Sequence, residues 1–114
     1  KWFKHENHYT TAHDMALITR AAIQNPDFLE IDGARNYKLP PTKRNLEGGY
    51  VANHHRMLVK NTSVYYPGAF AGKTGYTSIA GNTLVTCAEK NDMTLIAVVL
   101  NGHQTHYSDT KALF

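Results

Sequence analysis

At 114 residues, with 42% apolar and 18% charged side chains, the chain has the make-up of one small folded domain, which excludes a disordered tail or a multidomain assembly. Its formal charge of +3 comes from scattered basic residues, and without a stripe of Lys and Arg interleaved with aromatics a nucleic-acid groove is not expected. The single cysteine, Cys87, excludes an internal disulfide, and no run reaches the length of a membrane span.

Residues 1–7 have no periodicity and read as a frayed end or a junction. A helix is predicted from Thr10 or Thr11, since Thr11 and Asp14 stand at capping-box spacing. Ala12, Met15, Ala16, Ile18, Ala22 and Ile23 then fall mostly on one face. Asn25-Pro26 ends that helix and opens another turn, with Asn25 as N-cap and Pro26 at the first helical position. Asp32-Gly33 breaks it. Arg35 to Leu39 reads as a short strand stopped by Pro40-Pro41, and Thr42 to Gly49 as a polar surface loop. Within the ambiguous stretch Tyr50 to Val59 a short helix over Asn53–Leu58 is preferred. Asn61 to Ala71 reads as a loop with Tyr65, Tyr66 and Phe70 packed beneath it, as core aromatics rather than a sugar-stacking platform.

The last third has the clearest pattern. A strand carrying Lys73-Thr74-Gly75 precedes a β-branched strand over Thr83–Glu89, a turn at Lys90-Asn91-Asp92 and an apolar strand over Met93–Leu100. The near-unbroken apolar run predicts a central strand buried on both faces. The three form an antiparallel meander, closed by Asn101–Thr105 and a helix of about two turns over Ser108–Phe114. The fold class is therefore α/β of the α+β type, an antiparallel sheet flanked by helices.

Gly72-Lys73-Thr74-Gly75 carries the chemistry. An ammonium with three donors, a short hydroxyl and a bare backbone in succession suit an anion. A nucleotide phosphate loop is excluded twice. Its first glycine would have to stand where Pro67 is, and the following Gly75 to Gly81 segment makes a poor helix. No metal centre is expected: His54-His55, and His103 with His106, lack a further ligand at motif distance. No cofactor is implied. Cys87 reads as a small buried hydrophobe.

Several segments occur in one order: His8-Tyr9-Thr10-Thr11-Ala12-His13-Asp14-Met15-Ala16, Asn25-Pro26, Gly72 through Thr77 with Ala80-Gly81, Leu95 through Leu100, and Tyr107 through Lys111. Together these resemble the later part of the catalytic domain of serine D-alanyl-D-alanine carboxypeptidases, the low-molecular-mass penicillin-binding proteins, whose motifs include Lys-Thr-Gly. The resemblance implies a penicillin-binding-protein or β-lactamase-like fold, with residues 8–114 as an incomplete C-terminal portion. It implies acyl transfer on peptidoglycan stem peptides ending in D-Ala-D-Ala, inhibition by β-lactams, and an extracytoplasmic, cell-envelope setting in bacteria, with no signal peptide in this chain. Lys73, Thr74 and Gly75 would bind the substrate carboxylate, and the backbone N–H of Tyr76 would be one oxyanion donor.

The nucleophile motif Ser-x-x-Lys and the Ser-x-Asn element are missing and belong upstream of Lys1, so this chain alone is expected to be inert. The competing expectation is a non-catalytic module of the same fold that binds a peptide carboxylate. Ser108-Asp109-Thr110-Lys111 spells Ser-x-x-Lys but follows Lys-Thr-Gly and reads as a helix N-cap with a solvated lysine. His13 stands where the family usually has tyrosine and His55 where it has asparagine; Asn53 matches. With its sheet incomplete, the isolated chain is expected to dimerise or exchange strands through exposed sheet surface.

Overall fold

The computed structural model describes residues 5–114; of the expected frayed end, residues 1–4 lie outside the described part. Helix α1 spans Ala12–Ala22 and begins where the cap predicts, because the Thr11 hydroxyl accepts the Asp14 N–H at 3.1 Å. Its inward face is Met15, Ala16, Thr19, Ala22 and Ile23. Thr19 rather than Ile18 is buried. The Thr19 hydroxyl donates to the Met15 carbonyl at 2.7 Å, which satisfies it without water, and Ile18 lies 58% exposed. Helix α2, Pro26–Asp32, follows at once, with Asn25 Oδ1 accepting from the Asp27 and Phe28 amides.

Strands β1 (Asn36–Leu39) and β2 (Gly49–Ala52) form a small antiparallel hairpin. The polar loop ends one residue early, and the expected helix over Asn53–Leu58 shrinks to a single 3₁₀ turn at Arg56–Leu58. Asn53 spends its side-chain carbonyl on the His55 N–H at 2.8 Å, a local bond that replaces helical geometry there.

The main sheet has the order β3-β4-β5, all antiparallel, with β3 at Ala69–Thr77, β4 at Gly81–Lys90 and β5 at Met93–Gly102. Lys90 pairs with Met93, so only Asn91 and Asp92 turn the chain, with φ of 53° and 62°. Both values are positive, as a right-twisted two-residue hairpin requires, and Asn and Asp tolerate them. Helix α3 spans His106–Leu113 and starts two residues before the predicted Ser108.

Two layers cover the sheet. Helix α1 lies on β5 and β4, and α2 on β3, while the 3₁₀ turn packs on β3 and α3 on β5 and β4. Met57, Leu58, Ala69 and Leu84 form the buried centre, with Val64, Tyr66, Val99 and Tyr107 against them. The central strand, paired on both sides, is β4. The apolar β5, predicted central, is the sheet's edge, with Met93 57% and Leu95 39% exposed. Tyr66 packs as predicted, its ring 5.1 Å from that of Phe114. Among the described residues no helix is long and apolar enough to cross a membrane.

Candidate functional site

Strand β3 carries the Lys-Thr-Gly segment and pairs on one side only; among the described residues no strand covers its other edge. Lys73 lies opposite Val85, Thr74 opposite Leu84, Gly75 opposite Thr83 and Tyr76 opposite Asn82, without a break in register. Lys73, Gly75 and Tyr76 are exposed and Thr74 is half-buried. The Lys73 ammonium donates to the Thr74 carbonyl at 2.6 Å, so charge and hydroxyl-bearing residue already meet at one point of the edge.

The direction of the backbone donors follows from one hydrogen bond. The Gly72 N–H is not used by β4; it donates to Asp32 Oδ2 at 2.7 Å. Amides alternate sides along an extended strand, so those of Thr74 and Tyr76 turn to the same uncovered edge as that of Gly72. A cationic side chain and two outward amides thus line about four residues of open strand.

Behind this edge sits a polar bracket that sequence reasoning missed. Asn53 Nδ2 donates to the Asp32 and Ala34 carbonyls at 3.0 and 2.9 Å, tying the end of α2 to the His55 segment. The buried His55 ring places Nε2 at 3.0 Å from the Val85 carbonyl and 2.9 Å from the Thr86 hydroxyl. Asp32 therefore bonds β3 immediately before Lys73, and His55 bonds the step of β4 that faces it. In the sequence Asp32-Gly33 marks only a helix end, and nothing local pairs Asp32 with an amide forty residues on. Replacing Asn53 by Ala is expected to cost about 2–3 kcal/mol in urea unfolding, because three partners lose their bonds at once. A loss below about 0.5 kcal/mol would mean that the bracket is not holding α2.

Beneath Lys73 and Gly72 lies a mainly apolar cleft of about 170 Å³, whose walls include Met15, Ile18, Phe28 and Asp32. Cys87 lines the same cleft and is fully buried; burial, and secondarily the Asp32 carboxylate, push its thiol up to about 12. Since the thiolate is the reactive form, native protein is expected to leave Cys87 unmodified by a thiol reagent, with full reaction only in denaturant. Rapid modification of the native state would contradict this.

The remaining candidates are dispersed. Ser108 is exposed inside the first turn of α3, its hydroxyl donating to the Thr105 carbonyl at 2.9 Å, so it is not the N-cap. His13 is exposed on α1. Among the described residues no three His, Cys, Asp or Glu side chains converge as a metal site would require.

Comparison with known proteins returns one group of relatives. A family profile described as D-alanyl-D-alanine carboxypeptidase matches residues 3–104. The D-alanyl-D-alanine carboxypeptidase DacB2 of Mycobacterium tuberculosis is 32% identical over 110 residues, 92% of this chain and 35% of that protein. DacF of Bacillus subtilis, another D-alanyl-D-alanine carboxypeptidase, is 30% identical over 95 residues, 82% of this chain and 22% of that protein. The chain thus spans about a third or less of the length of these curated relatives. Among solved structures, a Mycobacterium tuberculosis D-alanyl-D-alanine carboxypeptidase aligns with a TM-score of 0.71 at 28% identity, over 92% of this chain and 41% of that one. A variant of a Streptomyces DD-transpeptidase reaches a TM-score of 0.82 at 26% identity, over 96% and 42%.

Proposed function

We propose, from the premise that this chain belongs to the D-alanyl-D-alanine carboxypeptidase family, that residues 73–76 are the carboxylate clamp and oxyanion donor of a serine acyl-transfer site whose nucleophile lies outside residues 1–114. The observation that carries this reading is the open edge of β3, where Lys73, Thr74 and the Tyr76 amide share one strand with no other strand beside it among the described residues.

The mechanism follows from that edge. A peptide ending in D-Ala-D-Ala adds to β3 as an extra strand, its backbone held by outward amides. Its terminal carboxylate meets the Lys73 ammonium and the Thr74 hydroxyl, a charge-assisted pairing. The scissile carbonyl, one residue back from that carboxylate, then comes alongside the Tyr76 N–H. When a serine hydroxyl attacks this carbonyl, negative charge develops on its oxygen and the amide stabilises it, an effect worth about 3 kcal/mol per donor. Collapse expels D-alanine and leaves an ester on the serine, which water hydrolyses. Gly75 keeps the strand bare toward the substrate. It also has no room on its own sheet, since a Cβ there would lie 2.6 Å from the Thr83 hydroxyl.

Residues 8–114 are accordingly the C-terminal portion of a catalytic domain, inert alone and working in the bacterial cell envelope on peptidoglycan, with β-lactams as covalent inhibitors. The exposed Met93 and Leu95 on the edge strand β5 support self-association when this portion is isolated.

The test is to treat the full-length polypeptide with a labelled penicillin and map the adduct. The expected position is a serine outside residues 1–114. An adduct at Ser108, or release of D-alanine by the isolated 114-residue chain, would overturn the assignment.

A further inference from the structure

We infer that His55 is the positioning residue of the clamp: wedged between Gly72 and the Val85–Thr86 step of β4, its neutral ring fixes the rung that presents Lys73, and acid releases it. This rests on the reading that Lys73 grips a carboxylate.

The geometry fixes the state of the ring. Val85 is the residue opposite Lys73 in the sheet register, and its carbonyl can only accept. Nε2, 3.0 Å away, must therefore carry the hydrogen. Nδ1 is then a bare lone pair, buried and without a hydrogen-bond partner. The ring is only 1% exposed and lies so close to β3 that a Cβ on Gly72 would be 2.7 Å from two of its atoms. Such a ring cannot shift without moving either β3 or the Val85 carbonyl, and both of these carry Lys73.

Protonation would put a positive charge in a buried site. Burial is the main reason the imidazole is held below its ordinary 6.5, with the Val85 carbonyl, the Asp32 carboxylate and the residue's own backbone carbonyl opposing and the Lys73 ammonium assisting. The charged or titratable groups around the ring are Asp32 from α2, Lys73 from β3, Arg56 in the 3₁₀ turn and Tyr107 from α3, whose ring meets it edge-on at 6.1 Å. Because the folded value is depressed, the bracket is intact above 6.5. It weakens as pH falls below 6.5, where only the unfolded or released ring takes a proton readily, until the lower folded value is reached.

A carboxamide can replace the Nε2 donor without titrating, so His55→Gln separates the ring's role as donor from its role as titrating group. The rate of acylation by a labelled penicillin is measured from pH 8 to pH 5 on the full-length polypeptide, its His55→Gln variant and its His55→Leu variant, with melting temperatures taken at each pH. At pH 8 the Gln variant is expected within about 3-fold of the parent, as for one neutral hydrogen bond replaced by another. The melting temperature of the parent should then fall relative to that of the Gln variant as pH drops from 6.5 towards 5, since the unfolded ring takes up a proton that the buried ring refuses. The Leu variant should be slower at every pH, since it fills the space but removes the ring's bonds to the Val85 carbonyl and the Thr86 hydroxyl. Parallel parent and Gln melting profiles, or a Leu variant as fast as the parent, would overturn the inference while leaving the clamp standing. No adduct in any variant at any pH would overturn the clamp reading and this inference with it.

Discussion

Gly72→Ala is expected to be the most damaging single-methyl change in the chain, lowering stability by about 4 kcal/mol. Gly72 has φ of 154°, and a Cβ there would fall onto the Val85 carbonyl oxygen and within 2.7 Å of the His55 ring. The carbonyl belongs to the strand that holds β3 in register, so it cannot retreat without parting the sheet at Lys73. The ring is buried and bonded to the same carbonyl. Overpacking of this kind costs about 1–3 kcal/mol, and a non-glycine residue in that backbone region about 1–3 kcal/mol more. A typical domain has only about 5–15 kcal/mol to lose. Urea unfolding of parent and variant measures the difference, and a change under about 1 kcal/mol would mean that the strand is not pinned between Val85 and His55.

Lys73→Ala is expected to do the opposite: leave the fold intact and remove the function. The side chain is exposed, and its described contact is with the neighbouring Thr74 carbonyl, so truncation uncovers no core. What disappears is the ammonium. A hydrogen bond to a charged group contributes about 1.5–3 kcal/mol, so acylation of the full-length polypeptide by a carboxylate-bearing substrate should slow by about 10- to 150-fold. The loss should shrink for an ester analogue with no free carboxylate, which tests that Lys73 acts on that group. Equal losses on acid and ester would assign Lys73 to some other step.

The two substitutions mark what the sequence makes readable and what it leaves hidden. Local chemistry is legible: the Thr11 cap, the Asn25-Pro26 start and the Asn91-Asp92 turn all depend on residues two or three apart. The Lys-Thr-Gly strand is legible as well, because glycine and β-branched residues exclude the helix a phosphate loop would need. The β1–β2 hairpin is legible only in its first strand, expected over Arg35–Leu39 and found over Asn36–Leu39. Its strands are four residues long, and Tyr37, Tyr50 and Val51 are exposed, so no buried face imposes alternation on the sequence. Strand β5 misleads for a related reason: an apolar run reports burial but not which neighbour supplies it, and here α1 and α3 cover a strand that is the sheet's edge.

The bracket is hidden most deeply. Asp32, Asn53, His55 and Gly72 meet only through tertiary structure, and each has an ordinary local explanation as a helix end, a turn residue, a loop histidine or a flexible glycine. Their convergence on the residue before Lys73 explains why a strand with one open edge can keep its clamp aligned.

A crystal structure of the full-length polypeptide acylated by a penicillin would show whether the ligand lies along the open edge of β3. The expected result has the ligand carboxylate within hydrogen-bond distance of Lys73 Nζ and Thr74 Oγ1, and the acyl oxygen about 2.9 Å from the Tyr76 backbone nitrogen. A ligand bound to a serine whose carboxylate and acyl oxygen both lie away from the open edge of β3 would contradict it.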